Sequence, residues 1–137
     1  MKDCFINAGL GFVFTLAIMA SGCSPKIVKG PMYKNGKVSF KFDSDVVSPQ
    51  YDKILERGLA YLKTYSKAVL ILEGHTDAVG SDIYNRDLGD KRARAVKAYL
   101  LANGIDPERL ITVSYGESKA DRDAVKSRVV LLKEATR

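Results

Sequence analysis

Ala68 to Leu72 is an unbroken apolar run, and it passes directly into the polar stretch Glu73-Gly74-His75-Thr76-Asp77. A run that is apolar at successive positions reads as a strand buried on both faces, so a chain carrying it must place something on either side of that strand. Downstream, between Leu88 and Asn103, the residues Ala93, Val96, Tyr99 and Leu100 recur at spacings of three and four. That is the period of an amphipathic helix. Lys91, Arg94 and Lys97 occupy its other side as a solvated stripe. Between strand and helix lies a polar loop with Gly74, Gly80 and several carboxylates. Loops fed by a buried strand and closed by a helix are where binding residues concentrate. This one offers an anion, Asp77, and a cation, Arg92. Arg92 stands four residues before Val96, so it points along the apolar face, where a guanidinium requires an anionic partner. A ligand carboxylate would serve. So would a structural carboxylate, or a snorkelling guanidinium at the helix start.

The flanking segments complete a small domain. Val38-Ser39-Phe40-Lys41-Phe42 alternates as a strand with one wet face, and Asp43-Ser44-Asp45 turns the chain. Ser48-Pro49 reads as an N-cap followed by a first-turn proline. Tyr51, Ile54, Leu55, Leu59 and Leu62 then mark an amphipathic helix to about Tyr65. Asn103-Gly104 is a helix stop, with Pro107 just beyond. Ile111, Val113 and Tyr115 alternate with Thr112 and Ser114 as a third strand, and Arg128 to Leu132 makes a fourth. The order is β-α-β-α-β-β: one small mixed four-stranded sheet with two main helices. The two continuously apolar strands, second and fourth, belong in the middle, and the alternating first and third at the edges.

The N-terminal quarter is of another kind. Residues 1–22 read as a signal peptide, with a mostly apolar stretch from Ala8 to Ala20 that is shorter than the roughly 20 residues of a membrane span. Ala20-Ser21-Gly22 before Cys23 resembles a bacterial lipobox, with cleavage and lipidation at Cys23. Ser24 in place of an aspartate implies the outer membrane. Cys4 lies in the leader, so a processed chain has no second cysteine to pair with Cys23. Residues 23–36 form the lipidated N-terminus and a breaker-rich linker; twelve extended residues reach about 40 Å, which keeps the domain 37–137 near the membrane face. The net charge is +6, from 22 Lys and Arg against 16 acids. No run of five like charges occurs and no basic-aromatic interleaving, which argues against a nucleic-acid partner.

Glu73-Gly74-His75-Thr76-Asp77, then Gly80, Tyr84-Asn85, Leu88 and Arg92-Ala93, resemble the signature of OmpA-like peptidoglycan-binding domains. Gly89 and Val113-Ser114-Tyr115-Gly116-Glu117 are most similar to the peptidoglycan-associated lipoprotein branch. The resemblance spans about Val38 to Lys133. It implies an α/β sandwich like the C-terminal domain of OmpA, a site where the loops after the first two strands meet the second helix, and no enzymatic turnover. It implies that Asp77 and Arg92 hold the diaminopimelate of the peptidoglycan stem peptide. Diaminopimelate presents a free carboxylate beside an ammonium, which one cation and one anion would grip. Asp43 matches an aspartate beside the ligand, although a turn carboxylate is an equal reading. Asn85 matches an asparagine that braces the loop, Leu88 offers an apolar wall, and Arg128 is a further candidate. The chain departs from the family pattern at Ala120, where a proline is usual, at Lys126-Ser127, where Asn-Arg is usual, and at Ala78-Val79, where the lipoprotein branch has Glu-Arg. A Tol-type or apparatus protein partner is therefore open. The alternative is a lipoprotein of a secretion, conjugation or motility apparatus acting through protein contacts.

Other chemistries fit less well. Glu73, His75 and Asp77 alternate like a partial metal site, but the chain has one histidine and no paired-ligand spacing. His75 instead reads as a residue that packs and hydrogen-bonds at the strand end. Ser81 or Ser114 with His75 would be a hydrolase triad only by geometry, and neither serine sits in a nucleophile elbow. The glycines match no nucleotide loop, and no cofactor is implied.

Overall fold

The computed structural model describes Tyr33 and residues 36–135. The expected signal peptide, Cys23 and nearly all of the linker lie outside the described residues. The elements are β1 (Gly36–Ser39), a 3-10 turn (Pro49–Tyr51), α1 (Asp52–Thr64), β2 (Leu70–His75), α2 (Asp82–Ala102), a second 3-10 turn (Pro107–Arg109), β3 (Leu110–Gly116), α3 (Ala124–Ser127) and β4 (Val129–Glu134).

The sheet order is β1-β4-β2-β3, so the two continuously apolar strands occupy the centre, as their composition requires. α2 carries the chain from β2 to its parallel neighbour β3, while β4 runs antiparallel to both β1 and β2. The connection obeys the rule that parallel neighbours need a crossover. Val38, Leu70, Leu72, Val130 and Leu132 point to the helical face and meet Leu55 and Leu62 of α1 and Ala93, Val96 and Leu100 of α2 in one core. The alternate positions Lys37, Glu73, His75, Val129, Leu131 and Lys133 fall on the opposite face.

One close approach sets how α2 lies on the sheet. A Cβ on Gly74 would sit 1.9 Å from the carbonyl oxygen of Gly89, and a Cβ on Gly89 would sit 2.4 Å from Ser114 Oγ. Strand β2 and helix α2 touch backbone to backbone here, and only glycine permits it. Ser114 Oγ completes the seam by donating to the carbonyl of Arg86 at 2.7 Å.

Several element boundaries differ from expectation. β1 ends at Ser39 rather than Phe42, although the Phe40 amide still donates to the Arg128 carbonyl at 2.8 Å. Ser48 precedes the first 3-10 turn without a side-chain cap bond. α2 begins at Asp82, not Leu88, because Ser81 caps it by accepting from the Tyr84 amide at 3.2 Å. Arg92 therefore stands in the middle of a 21-residue helix rather than in its first turns. Gly104, at φ +86°, ends that helix as its position after Asn103 suggests. The short α3 was not signalled by apolar periodicity; its Asp123 cap accepts from the Val125 amide.

Candidate functional site

The loops after β1 and β2 meet over the middle of α2, and Arg92 joins them. Its side chain is fully buried. Nε donates to the Ser44 carbonyl at 2.8 Å, Nη1 to the His75 carbonyl at 3.0 Å and Nη2 to the Lys41 carbonyl at 3.1 Å. The guanidinium also lies 5.4 Å from the Phe40 ring centroid. The expected carboxylate partner is replaced by three peptide carbonyls, whose directed lone pairs satisfy one donor on each nitrogen. Burial lowers the Arg92 pKa, and the nearby Asp77 charge opposes that shift.

Asp77 pairs with Arg128 instead. Arg128 Nη1 stands 3.2 Å from Asp77 Oδ2, with the two side chains 17% and 9% exposed. Asp77 Oδ1 accepts from the Val79 amide at 3.3 Å. Thr76 fixes the approach: its amide donates to the Gly116 carbonyl at 2.9 Å. Arg128 Nε is buried without a hydrogen-bond partner, and the Phe42 ring lies 6.0 Å from its guanidinium. The site is thus one carboxylate and two guanidiniums, largely buried, with Arg128 Nε left without a partner. Low local dielectric strengthens each of these interactions and makes an unpaired member costly.

The other expected residues fall around this cluster. Asp43 has φ +50°, in the left-handed region that aspartate tolerates better than most residues, and its carboxylate accepts from the Tyr84 hydroxyl. That bond raises the Tyr84 pKa. Asn85 is buried, and its Nδ2 donates to Glu117 Oε2 at 2.6 Å, tying α2 to the end of β3. Leu88 is half-buried on α2. Phe42, Val46, Val79, Ile83 and Tyr84 are exposed apolar residues on the loops and first turn that frame the site. Sequence reading passed over this rim, because single exposed apolar residues on loops carry no period.

Glu73 and His75 lie on the far face of β2, away from the Asp77–Arg128 pair. Glu73 Oε2 pairs with Lys133 Nζ at 2.7 Å and lies 3.6 Å from His75 Nε2. The His75 ring stacks on Tyr115 at 5.3 Å. Burial lowers the His75 pKa, partly offset by Glu73. Burial would raise the Glu73 pKa, but Lys133 and the other nearby cations hold it below its usual value. No group of three His, Cys, Asp or Glu among the described residues could hold a metal ion. Both serines considered for a triad have structural roles, Ser81 as the α2 cap and Ser114 in the β2–α2–β3 seam.

Comparison with known proteins agrees with this architecture. The model of the OmpA family matches residues 39–129. The peptidoglycan-associated lipoprotein of Haemophilus influenzae is 45% identical over 82 residues, covering 60% of this chain and 54% of the relative. That of Buchnera aphidicola is 40% identical over 86 residues, covering 63% and 50%. The chain spans about half the length of these curated relatives. Among solved structures, the peptidoglycan-associated lipoprotein of Burkholderia pseudomallei superposes with a TM-score of 0.69 at 32% identity, covering 72% of this chain and 89% of that one. The C-terminal domain of Helicobacter pylori MotB shares the fold, with a TM-score of 0.65 at 20% identity. The α/β sandwich and the resemblance that carried it are borne out: the chain belongs to the OmpA family.

Proposed function

We propose that this chain is an outer-membrane lipoprotein, anchored through a lipid on Cys23, whose periplasmic domain binds peptidoglycan without covalent chemistry or turnover. The ligand group is the diaminopimelate of the stem peptide. The observation that carries this reading is the buried Asp77–Arg128 pair with its unspent Arg128 Nε, set beside the fully buried Arg92. A zwitterion fits such a pair by exchange. The ligand ammonium replaces Arg128 at Asp77, and the ligand carboxylate goes to the guanidiniums, with Arg128 in front and Arg92 behind. Net charge in the site is unchanged, so little desolvation is left uncompensated. Arg92 additionally positions the site by holding the loops after β1 and β2 through their carbonyls. Asn85 braces the same region through Glu117. The names of the relatives from Haemophilus and Buchnera, which state association with peptidoglycan, support the assignment.

The test is co-sedimentation of the full chain with purified sacculi containing diaminopimelate. Wild-type chain should sediment, and Asp77→Ala should not. Removing one partner of a buried charge pair costs about 2–5 kcal/mol, or at least about thirtyfold in affinity. Sedimentation of both to the same extent would refute the site.

A second reading has its own observation. The exposed Phe42, Val46, Val79, Ile83 and Tyr84 form an apolar frame suited to a protein partner of Tol or apparatus type. A folded chain that ignores sacculi but co-purifies with a stoichiometric protein would favour it.

A further inference from the structure

The face of the sheet opposite the helices carries a groove that the peptidoglycan reading does not use. It measures about 270 Å³. Its floor is Val129 and Leu131 with Glu73 and His75, and the segment from Lys119 to Ser127 rises along one side. Ser127 holds that segment against the sheet. Its buried hydroxyl accepts from the Asp121 amide at 2.7 Å and donates toward the Asp121 and Asp123 carbonyls. Two of the positions at which the chain departs from its family's pattern, Lys126 and Ser127, therefore build this wall.

Four ammonium groups surround the groove: Lys37 from β1, Lys133 from β4, and Lys119 and Lys126 from the β3–β4 connection. The acids lining it are Glu73 and Asp121, and Lys126 Nζ pairs with Asp123 Oδ2 at 3.5 Å. Glu73 is already committed to Lys133. Lys119 Nζ lies 3.4 Å from the centroid of the Tyr115 ring, whose other neighbour is the His75 imidazole. His75 Nε2 has no hydrogen-bond partner but faces the Glu73 carboxylate at 3.6 Å, so it does not itself call for an anion. The rim does: Lys37 and Lys119 pair with no acid among the described residues, and the four lysines outnumber Glu73, Asp121 and Asp123. The rim consists of ammonium groups rather than guanidinium forks. Flexible point charges suit a phosphate, with acceptors in several directions, better than a flat carboxylate that wants a bidentate partner.

We propose that this groove is a second binding site, distinct from the Asp77–Arg92–Arg128 cluster, and that its ligand is a phosphate group. The phosphate belongs either to a free phosphate ester of the periplasm or to a lipid headgroup at the membrane face. Ligand enters over Leu131 between Lys37 and Lys126, and its oxygens meet the lysines of the rim while the Glu73–Lys133 pair stays in place.

Lysine acetylation footprinting of the full chain tests this, read residue by residue by mass spectrometry at constant ionic strength. Inorganic phosphate and glycerol phosphate should slow acetylation of Lys37, Lys119 and Lys126 saturably, while the exposed Lys53 and Lys63 on α1 react as before. The double variant Lys37→Gln with Lys126→Gln should weaken the protection of Lys119 by up to about twenty-five-fold, taking each lysine near an anionic group as worth about a factor of five. It should leave sacculus co-sedimentation unchanged, which separates this site from the first. Protection by phosphatidylglycerol vesicles beyond that given by phosphatidylcholine vesicles assigns the phosphate to a lipid headgroup; protection by glycerol phosphate alone assigns it to a soluble ester. Equal slowing of all lysines, or protection unaltered in the double variant, overturns the proposal.

Discussion

Gly74→Ala isolates the feature on which the site's geometry depends. The added Cβ would lie 1.9 Å from the Gly89 carbonyl oxygen and 2.6 Å from its carbon. Ordinary contact for such a pair is about 3.4 Å, so α2 must retreat from β2 by roughly 1.5 Å. Both obstacles are backbone, so no side chain can turn aside. Overpacking of this kind costs about 1–3 kcal/mol. The retreat also carries Arg92, three residues beyond Gly89, away from the carbonyls of Lys41, Ser44 and His75. Hydrogen bonds to a charged group contribute about 1.5–3 kcal/mol each, so losing even one brings the total to about 2.5–6 kcal/mol. A domain of ordinary stability, about 5–15 kcal/mol, would lose a large part of its margin. The assay is urea unfolding of the full chain followed by circular dichroism. Gly104→Ala is the control. A Cβ there meets nothing within 4 Å, and φ is +86°, so only the backbone penalty of about 1–2 kcal/mol applies. Equal losses for the two variants would refute the close-approach argument, since conformation alone would then explain both.

Four other outcomes follow. Arg109 donates to the carbonyls of Leu62, Tyr65 and Ala68 at 2.7–2.9 Å, tying the end of α1 to the start of β3, so Arg109→Met should lower the unfolding free energy by at least about 2 kcal/mol without moving sacculus affinity. Asn85→Ala releases Glu117, and should weaken sacculus binding less than Asp77→Ala does. His75 has a folded-state pKa below its usual 6.5, so on acidification the unfolded chain takes up the proton first; stability should be full above that value and fall as pH drops below it, a slope that His75→Gln should remove in a urea series. Glu73 is likewise held below its usual value of 4.5, so its contribution is present above that pH and lost as pH falls through the folded value, and Glu73→Gln should flatten the acid limb.

Much of the architecture was legible because the signals were local. Five successive apolar residues from Ala68 to Leu72 required a central strand, and β2 is central. The 3.6-residue spacing of Ala93, Val96 and Leu100 required a helix against it, and those residues are in the core. The helix start was misplaced by six residues, since Tyr84 and Ile83 of the first turn are exposed and contribute no apolar period. That the loop after β2 would come to lie against α2 was legible too, but the wiring of the cluster there was not. Asp77 and Arg128 are 51 residues apart and meet only once β4 has slotted in beside β2. Arg92 finds backbone carbonyls, which every residue carries and no sequence pattern marks. The phosphate groove was invisible for the same reason: its lysines come from two strands and a connection, and only the sheet brings them to one face.

If the Asp77–Arg128 pair opens to a ligand offering both charges, a compound with the ammonium alone should not open it. Sacculus co-sedimentation is therefore competed with free meso-diaminopimelate and, in parallel, with Nα-acetyl-lysine amide, which keeps the side-chain ammonium and has no carboxylate. The full chain should be released by diaminopimelate far more readily than by the blocked lysine, and that difference should shrink when Arg128→Gln removes the guanidinium facing Asp77. Equal release by the two compounds from the wild-type chain, or discrimination undiminished in Arg128→Gln, would contradict the exchange of ion pairs.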